Sequence, residues 1–381
     1  MTRTKIKVLF VLQALCGNGA VRASLNMLRH LDRRQFEIVL YVIVKTGACL
    51  SEVPSDIKLV AAHKKRRYNK YLIPYYIAGL LREASRCDII VGAEDFRPIY
   101  FSYIAASLLR KPVIGWNRTA IDRWLKKERP WHNSIVGLIY PRLNRVVCVS
   151  QAIVSGLLST ASVKQGNINV IYDTQEIDTI AERAKEEIPQ WYAEVLRKPT
   201  LIGLGRLSDE KGFDVLIKAH ANLLKRNIDH NLVILGSGYL KDELRNLSDR
   251  LGVSDSVFMP GYVDNPYPFL KKATAFVLSS RYEGFGGVVF EALSLGTPVV
   301  ATACGGPTEM ITDGENGILV PPNDVNSLAD GIHRVLSDGN LRARLSTPDI
   351  EWLRRFSPEN TVHQWERLLM EISRNGLKNH S

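Results

Sequence analysis

Two cations five residues apart, Arg206 and Lys211, stand in the glycine-bounded run Gly205-Arg206-Leu207-Ser208-Asp209-Glu210-Lys211-Gly212, directly after the apolar residues 201–204. A guanidinium offers a planar fork and an ammonium a point charge, and at the carboxyl end of a strand the two together suit a diphosphate. A second run, Ser279-Ser280-Arg281-Tyr282-Glu283-Gly284-Phe285-Gly286-Gly287-Val288-Val289-Phe290-Glu291-Ala292-Leu293, reads as strand, glycine turn and helix. The first amides of such a helix, with the positive end of its dipole, form a seat for phosphate. Glu291 lies about one turn inside that helix and Glu283 in the loop before it, so the two carboxylates need not meet at one atom. Glu291 can accept from a ribose diol, and Glu283 from a sugar hydroxyl near the phosphates.

These loops need strands to hold them. Residues 5–12 form a β-branched and Leu-rich run closed by Gly17-Asn18-Gly19 and followed by a helical pattern over residues 21–31. Short apolar runs recur at 37–44, 88–91, 113–116, 146–149 and 168–171, with helix-length segments between most of them. Such alternation predicts a parallel sheet covered on both faces. Between residues 181 and 198 the chain becomes charged and contains Pro189, with Pro199 just beyond. After it a second series starts: strands at 201–204, 231–235, 257–259, 275–278 and 299–301, and helices at 213–225, 241–251, 266–272 and 287–295. The pattern predicts an α/β protein of two doubly wound domains, whose ligands sit where loops leave the carboxyl ends of strands.

Composition narrows the function classes. With 381 residues, 45% of them hydrophobic and 23% charged, the chain is long enough for two cores and too apolar for disorder. Cys16, Cys49, Cys87, Cys148 and Cys304 occur singly with no C-x-x-C pair, which argues against a zinc ribbon or a disulfide framework and fits a reducing cytoplasm. No apolar stretch approaches the roughly 18 residues that cross a bilayer. The apolar start is read as a buried strand rather than a leader, since Gln13 interrupts it and Leu15 before Cys16 makes a poor cleavage site. Residues 1–190 hold 29 Lys and Arg against 16 Asp and Glu, a balance of +13, while the remainder holds 21 against 23. A basic half-molecule calls for an anionic partner.

Taken together, Gly205-Arg206 with Lys211-Gly212, Gly236-Ser237-Gly238, Pro260-Gly261-Tyr262-Val263, the Glu283 and Glu291 pair, residues 292–300 (ALSLGTPVV) and residues 314–320 (GENGILV) with Asp324 resemble the C-terminal domain of glycosyltransferase family 4. Val147-Cys148-Val149-Ser150 and Ile171-Tyr172 resemble that family's last N-domain strands. The resemblance implies a GT-B fold, two Rossmann-like doubly wound domains facing a central cleft: an acceptor-binding domain over residues 1–190, a nucleotide-sugar-binding domain over 191–360, and a C-terminal helix over 361–381 returning to the first domain. It also implies retention of anomeric configuration, with no metal and no cofactor beyond the nucleoside diphosphate sugar as co-substrate. On the matched positions Arg206 and Lys211 stabilise the leaving diphosphate, where negative charge grows as the glycosidic bond breaks. Glu291 holds the ribose; Glu283 and the amides around Phe285, Gly286, Gly287 and Val288 hold the donor sugar; Tyr262 and Val263 flank the base; Gly205 closes the diphosphate loop.

Two departures from the family pattern stand out. The first loop often reads Gly-Gly-x-Glu there, whereas here it reads Asn18-Gly19-Ala20-Val21, which leaves backbone donation from Gly17 and Gly19. Where many members carry a His, this chain has Trp116-Asn117-Arg118, so Asn117 and Arg118 become the acceptor-site candidates.

The cluster Lys64-Lys65-Arg66-Arg67 beside Tyr68, Tyr71, Tyr75 and Tyr76, and a second over residues 123–131, combine cations and aromatic rings as a surface docked on an anionic membrane would. No helix-turn-helix, zinc finger or RNP-like sheet is legible, which excludes nucleic acid as the partner. A glycoside hydrolase needs two carboxylates flanking one bond, a role Glu291 does not fit. The reading is a hexosyltransferase-type enzyme taking a UDP sugar to a polysaccharide or lipid-linked acceptor, cytoplasmic and peripheral on the inner face of the membrane. A nucleotide-sugar epimerase of the same fold and a non-catalytic sugar-nucleotide-binding protein stay open beside it.

Overall fold

The segments IKVLFVL and FEIVLYVIV, Ile6–Leu12 and Phe36–Val44, are apolar on both faces of the pleat, and such strands are stable only when covered on both sides. In the computed structural model, which describes residues 5–16, 19–63, 68–123 and 131–378, they are the first two strands of a parallel sheet. Contacts divide the chain into two units, Met1–Gln175 with Phe356–Ser381, and Glu176–Arg355.

The first unit contains β1 (Ile6–Leu12), β2 (Phe36–Val44), β3 (Lys58–His63), β4 (Ile89–Gly92), β5 (Val113–Asn117), β6 (Arg145–Cys148) and β7 (Ile168–Val170), in the order β3-β2-β1-β4-β5-β6-β7. Strand β1 pairs in parallel with β2 from Ile6↔Phe36 to Leu12↔Val42 and with β4 from Val8↔Ile89 to Val11↔Gly92, so the strand order reverses beside it. The helix Pro358–Lys378 completes this unit. Its Trp365 packs on Trp116 of β5 with ring centroids 4.5 Å apart, and its Glu366 Oε1 accepts from the Asp32 amide at 2.8 Å.

The second unit contains β8 (Thr200–Leu204), β9 (Asn231–Leu235), β10 (Val257–Gly261), β11 (Ala275–Leu278), β12 (Val299–Thr302) and β13 (Ile318–Val320), in the order β10-β9-β8-β11-β12-β13. The apolar faces of helices Phe213–Lys225 and Val325–Ser337 cover it, burying Leu216, Ile217, Leu223, Leu328, Ile332 and Val335. The strand order reverses between β8 and β11, and there two neighbouring parallel strands send their following chains apart, leaving a crevice at their carboxyl ends.

Contacts place the limits of the two units at residues 175 and 355, beside the 190 and 360 expected from the sequence. The charged stretch after residue 176 forms helices Ile177–Arg183 and Gln190–Val195, which belong to the second unit. Arg183 O accepts from Asn265 Nδ2 at 2.8 Å, and the buried Tyr192 hydroxyl donates to Phe269 O at 2.8 Å. At the other limit, the Gln175 amide donates to Phe356 O at 2.9 Å, which ties the start of the last segment to the end of the first.

Candidate functional site

The loop that carries Arg206 and Lys211 leaves β8 and ends in a short turn, Asp209–Lys211, closed by Gly212 in the left-handed region at φ 60°. A Cβ on Gly212 would stand 2.2 Å from Ser279 O, so only glycine lets this loop lie against the one leaving β11. The two loops are then sewn together. Ser279 Oγ donates to Lys211 O at 2.9 Å, the Arg281 amide to Glu210 O at 2.8 Å, and Arg281 Nη1 to Asp209 O at 2.5 Å. Arg281 Nη2 reaches both carboxylate oxygens of Asp214, at 2.9 and 3.0 Å.

Across this seam Lys211 Nζ donates to Glu283 Oε1 at 2.5 Å, and Ser280 Oγ donates to the same oxygen at 2.7 Å. Both side chains of the ion pair are largely shielded, Lys211 at 19% and Glu283 at 12% exposure, so the pair is poorly screened by solvent. The Lys211 stem lies over Gly205, where a Cβ would meet its Cδ and Cε at 3.4 Å. Glu283 is further fixed by its amide, which donates to Cys304 O at 3.1 Å, and by a bridge to Gly305.

Arg206 is placed differently. Its side chain is 67% exposed and lies 3.5 Å from Glu210 Oε1, an oxygen that also accepts from Ser208 Oγ at 2.5 Å. The helix Gly287–Ser294 starts at Gly286 in the left-handed region, φ 84°, with Phe285 buried behind it. Gly287 and Val288 supply first-turn amides that have no intrahelical acceptor, and Glu291, half-buried, follows one turn later. Tyr262, 53% exposed, and the half-buried Val263 follow β10, two strands from β8 on the side away from β11. Lys211 and Glu283 are thus in direct contact, Arg206 lies in the same loop as Lys211, and Tyr262 and Val263 approach from a separate strand end.

In the first unit, Gly19 opens the helix Gly19–His30; Gly17 lies outside the described residues. Asn117 and Arg118, the acceptor candidates, are both buried. The Arg118 guanidinium lies 3.8 Å from the Trp116 ring centroid, donates to Ala20 O and, at 3.0 Å, to Ser24 Oγ, and stands 3.5 Å from Asp173. Its amide donates to the Asp95 carboxylate at 3.1 and 3.2 Å. Arg118 therefore anchors the start of the first helix. Burial pushes the Asp95 carboxyl up to about 7 against the opposing bonds from Arg118 and Thr119.

The basic cluster Lys64, Lys65, Arg66 and Arg67 lies outside the described residues, as do residues 124–130 of the second cluster. Beside the first, Tyr71 and Tyr75 are exposed, Lys70 lies 5.3 Å from the Tyr71 ring centroid, and Arg97 lies 4.4 Å from that of Tyr68. Among the described residues no helix is long and apolar enough to cross a membrane, and no group of three or more His, Cys, Asp or Glu could hold a metal ion.

Sequence reasoning passed over Arg281, Asp214 and Ser280. The one available signal was an arginine preceded by two serines in the loop that faces Asp214 across the seam, and only the sheet order makes those loops neighbours.

Comparison with known proteins gives matches over both units. Residues 17–174 match the family model described as Glycosyltransferase Family 4, and residues 184–351 match that of Glycosyl transferases group 1. The chain is 32% identical over 251 residues to the N-acetylgalactosamine-N,N'-diacetylbacillosaminyl-diphospho-undecaprenol 4-alpha-N-acetylgalactosaminyltransferase of Campylobacter jejuni, covering 65% of this chain and 66% of that relative. It is 31% identical over 367 residues to an uncharacterized glycosyltransferase of Haemophilus influenzae, covering 94% of this chain and 98% of that one. Among solved structures, Anabaena HepE in complex with UDP and glucose superposes with a TM-score of 0.81 at 20% identity, covering 96% of this chain and 99% of that one.

Proposed function

We propose, from the premise that this chain belongs to the GT-B glycosyltransferases of family 4, that it moves a hexose-type unit from a UDP sugar to a lipid-linked or polysaccharide acceptor, with retention and without a metal ion. The observation that carries the reading is the Lys211–Glu283 pair, 2.5 Å across the crevice where the strand order of the second sheet reverses. One member suits a phosphate oxygen and the other a sugar hydroxyl, groups that lie on the two sides of the bond that breaks in a nucleotide sugar.

In the proposed reaction the bond from the anomeric carbon to the diphosphate oxygen breaks and its electron pair stays on phosphate. Lys211 and Arg206 neutralise that oxygen, helped by the amides of Gly287 and Val288. The acceptor hydroxyl oxygen forms the new bond on the same face, and its proton passes to the departing diphosphate. Glu291 takes the ribose diol, and Tyr262 and Val263 flank the base. Positive charge at the leaving oxygen does what a divalent cation does elsewhere, which supports metal independence. Turnover should survive excess EDTA, and proton NMR of the product should show the donor's anomeric configuration.

A thermal-shift panel of UDP, GDP, ADP and their sugars tests the donor assignment. Stabilisation by UDP and a UDP sugar is expected; stabilisation by none of the panel would instead favour the non-catalytic alternative. The acceptor assignment draws on the diphospho-undecaprenol in the name of the Campylobacter relative and on the basic, tyrosine-rich first unit. Each cation near an anionic surface contributes about 1 kcal/mol, so Lys64, Lys65, Arg66 and Arg67 would dock the enzyme on the inner face of the membrane. Equal pelleting with neutral and anionic vesicles, before and after neutralising those four residues, would reject docking.

A further inference from the structure

A groove of about 440 Å³ in the second unit, lined by Trp191, Arg245, Asp249 and the β10 residues Phe258, Met259 and Pro260, shares no residue with the site described above. Strand β10 is the edge strand of its sheet, whereas Lys211 and Glu283 follow the central strands β8 and β11. The groove is therefore a separate place on the same unit.

Its side chains are held ready but unused. Trp191 is half-buried and fixed against Tyr192 and Phe269, with ring centroids 5.6 and 5.9 Å away, and its indole N–H has no acceptor among the described residues. Arg245 and Asp249 are four apart on the helix Lys241–Leu251 and so share a face. Arg245 is exposed and makes no hydrogen bond or ion pair among the described residues. Asp249 accepts the Ser254 hydroxyl on Oδ1, which leaves Oδ2 open.

The chemistry of this set selects its occupant. One guanidinium and one carboxylate leave the groove with no net charge. An anion would meet Asp249, a cation would meet Arg245, and a wholly apolar ligand would strip water from both without replacing it. A neutral polyol with apolar C–H faces satisfies every part: its hydroxyls accept from the guanidinium and the indole N–H and donate to the carboxylate, while its C–H faces lie on Trp191 and on the floor of Phe258, Met259 and Pro260. We propose that this groove is a second, saccharide-binding site, which retains a neutral stretch of glycan away from the reacting sugar. That the glycan is the enzyme's own acceptor or product rests on the proposed reaction; that the groove binds saccharide does not.

Saturation-transfer NMR on the full chain with maltohexaose, chitohexaose and dextran tests the site independently of turnover. At least one probe should receive saturation from the wild-type protein, lose about fivefold or more of it with Trp191→Ala and with Arg245→Gln, and keep it in excess UDP and with Lys211→Ala. Arg245 is exposed and unpaired, so Arg245→Gln decides the matter if Trp191→Ala perturbs the packing on Phe269. No transfer from any probe, unaltered transfer with Arg245→Gln, or displacement by UDP would each overturn the proposal. Absence of turnover alongside retained binding would instead remove the proposed reaction and leave the groove standing.

Discussion

Lys211 Nζ and Glu283 Oε1 lie 2.5 Å apart, so the cation assigned to the diphosphate and the carboxylate assigned to the sugar are partners of each other. A diphosphate that takes Lys211 strips Glu283 of its counter-charge and leaves it with the Ser280 hydroxyl alone. A sugar hydroxyl can make good that loss, whereas UDP without its sugar cannot. In the proposed reaction this couples recognition of the two halves of the donor. Hydrogen bonds to charged groups are worth about 1.5–3 kcal/mol, so Glu283→Gln should bind UDP about tenfold more tightly than the wild type while turnover falls by more than tenfold. Calorimetric titration with UDP measures the first quantity. Unchanged or weaker UDP binding would mean that Lys211 serves both partners at once.

The two cations should behave differently when removed. Arg206, 67% exposed, touches little until a donor arrives, so Arg206→Ala should cut turnover by at least tenfold with no change in melting temperature. Lys211→Ala should cut turnover at least as much and also lower the melting temperature, because it leaves a shielded carboxylate without its ion-pair partner. Wild-type turnover in either variant would remove the leaving-group argument; thermal denaturation of both variants reads the contrast.

Arg281 tests whether the seam positions the site. Its Nη2 contact with the Asp214 carboxylate and its Nη1 contact with Asp209 O, the two arms of its fork, fix the loop that carries Lys211 relative to the one that carries Glu283. Arg281→Gln should lower kcat by tenfold or more with a smaller change in KM, and Arg281→Lys should recover only part of it, since an ammonium cannot reproduce the fork. A double-mutant cycle with Asp214→Asn should give a coupling of about 1–2 kcal/mol in stability. A coupling near zero would make Arg281 a solvated side chain.

From β8 to β12 the sequence carried the strand-and-helix alternation almost residue for residue, as at Phe213–Lys225 and Asn231–Leu235, because period and glycine punctuation are local signals. Strand β3, KLVAAH, escaped because it is half-buried at a sheet edge and runs straight into the basic cluster. The helices after residue 176 were not legible, since their charged faces hid Ile180, Tyr192 and Val195, which are buried. At Arg118 the residue type suggested an acceptor contact. Its partners Ala20, Asp95 and Asp173 are 98, 23 and 55 positions away, so spacing alone could not reveal that the guanidinium is buried among them.

Acid should act on the two units in opposite directions. In the second unit, His220 Nδ1 lies 2.8 Å from His230 Nε2 and its Nε2 lies 2.8 Å from Ser256 Oγ; burial and then the neighbouring His230 pull His220 down to about 3. The folded state refuses a proton that the unfolded chain takes near pH 6.5, so this unit is fully stable above that value and loses stability as the pH falls towards 3. Asp95 in the first unit is the reverse case: raised to about 7, it holds a proton when folded that the unfolded chain binds only near 3.9. That contribution grows as the pH falls from about 7 towards 4. Between pH 7.5 and 5.5 each effect amounts to about 1–2 kcal/mol at 1.36 kcal/mol per unit. Hydrogen exchange, corrected for intrinsic rates, should therefore show protection of β9 falling by about tenfold and protection of β5 rising by a similar factor. His220→Asn should reduce the first change to what His230, also lowered by burial, contributes, and Asp95→Asn should reduce the second to what Asp173, also raised by burial, contributes. Parallel loss of protection in both strands would show that neither buried group governs the acid response.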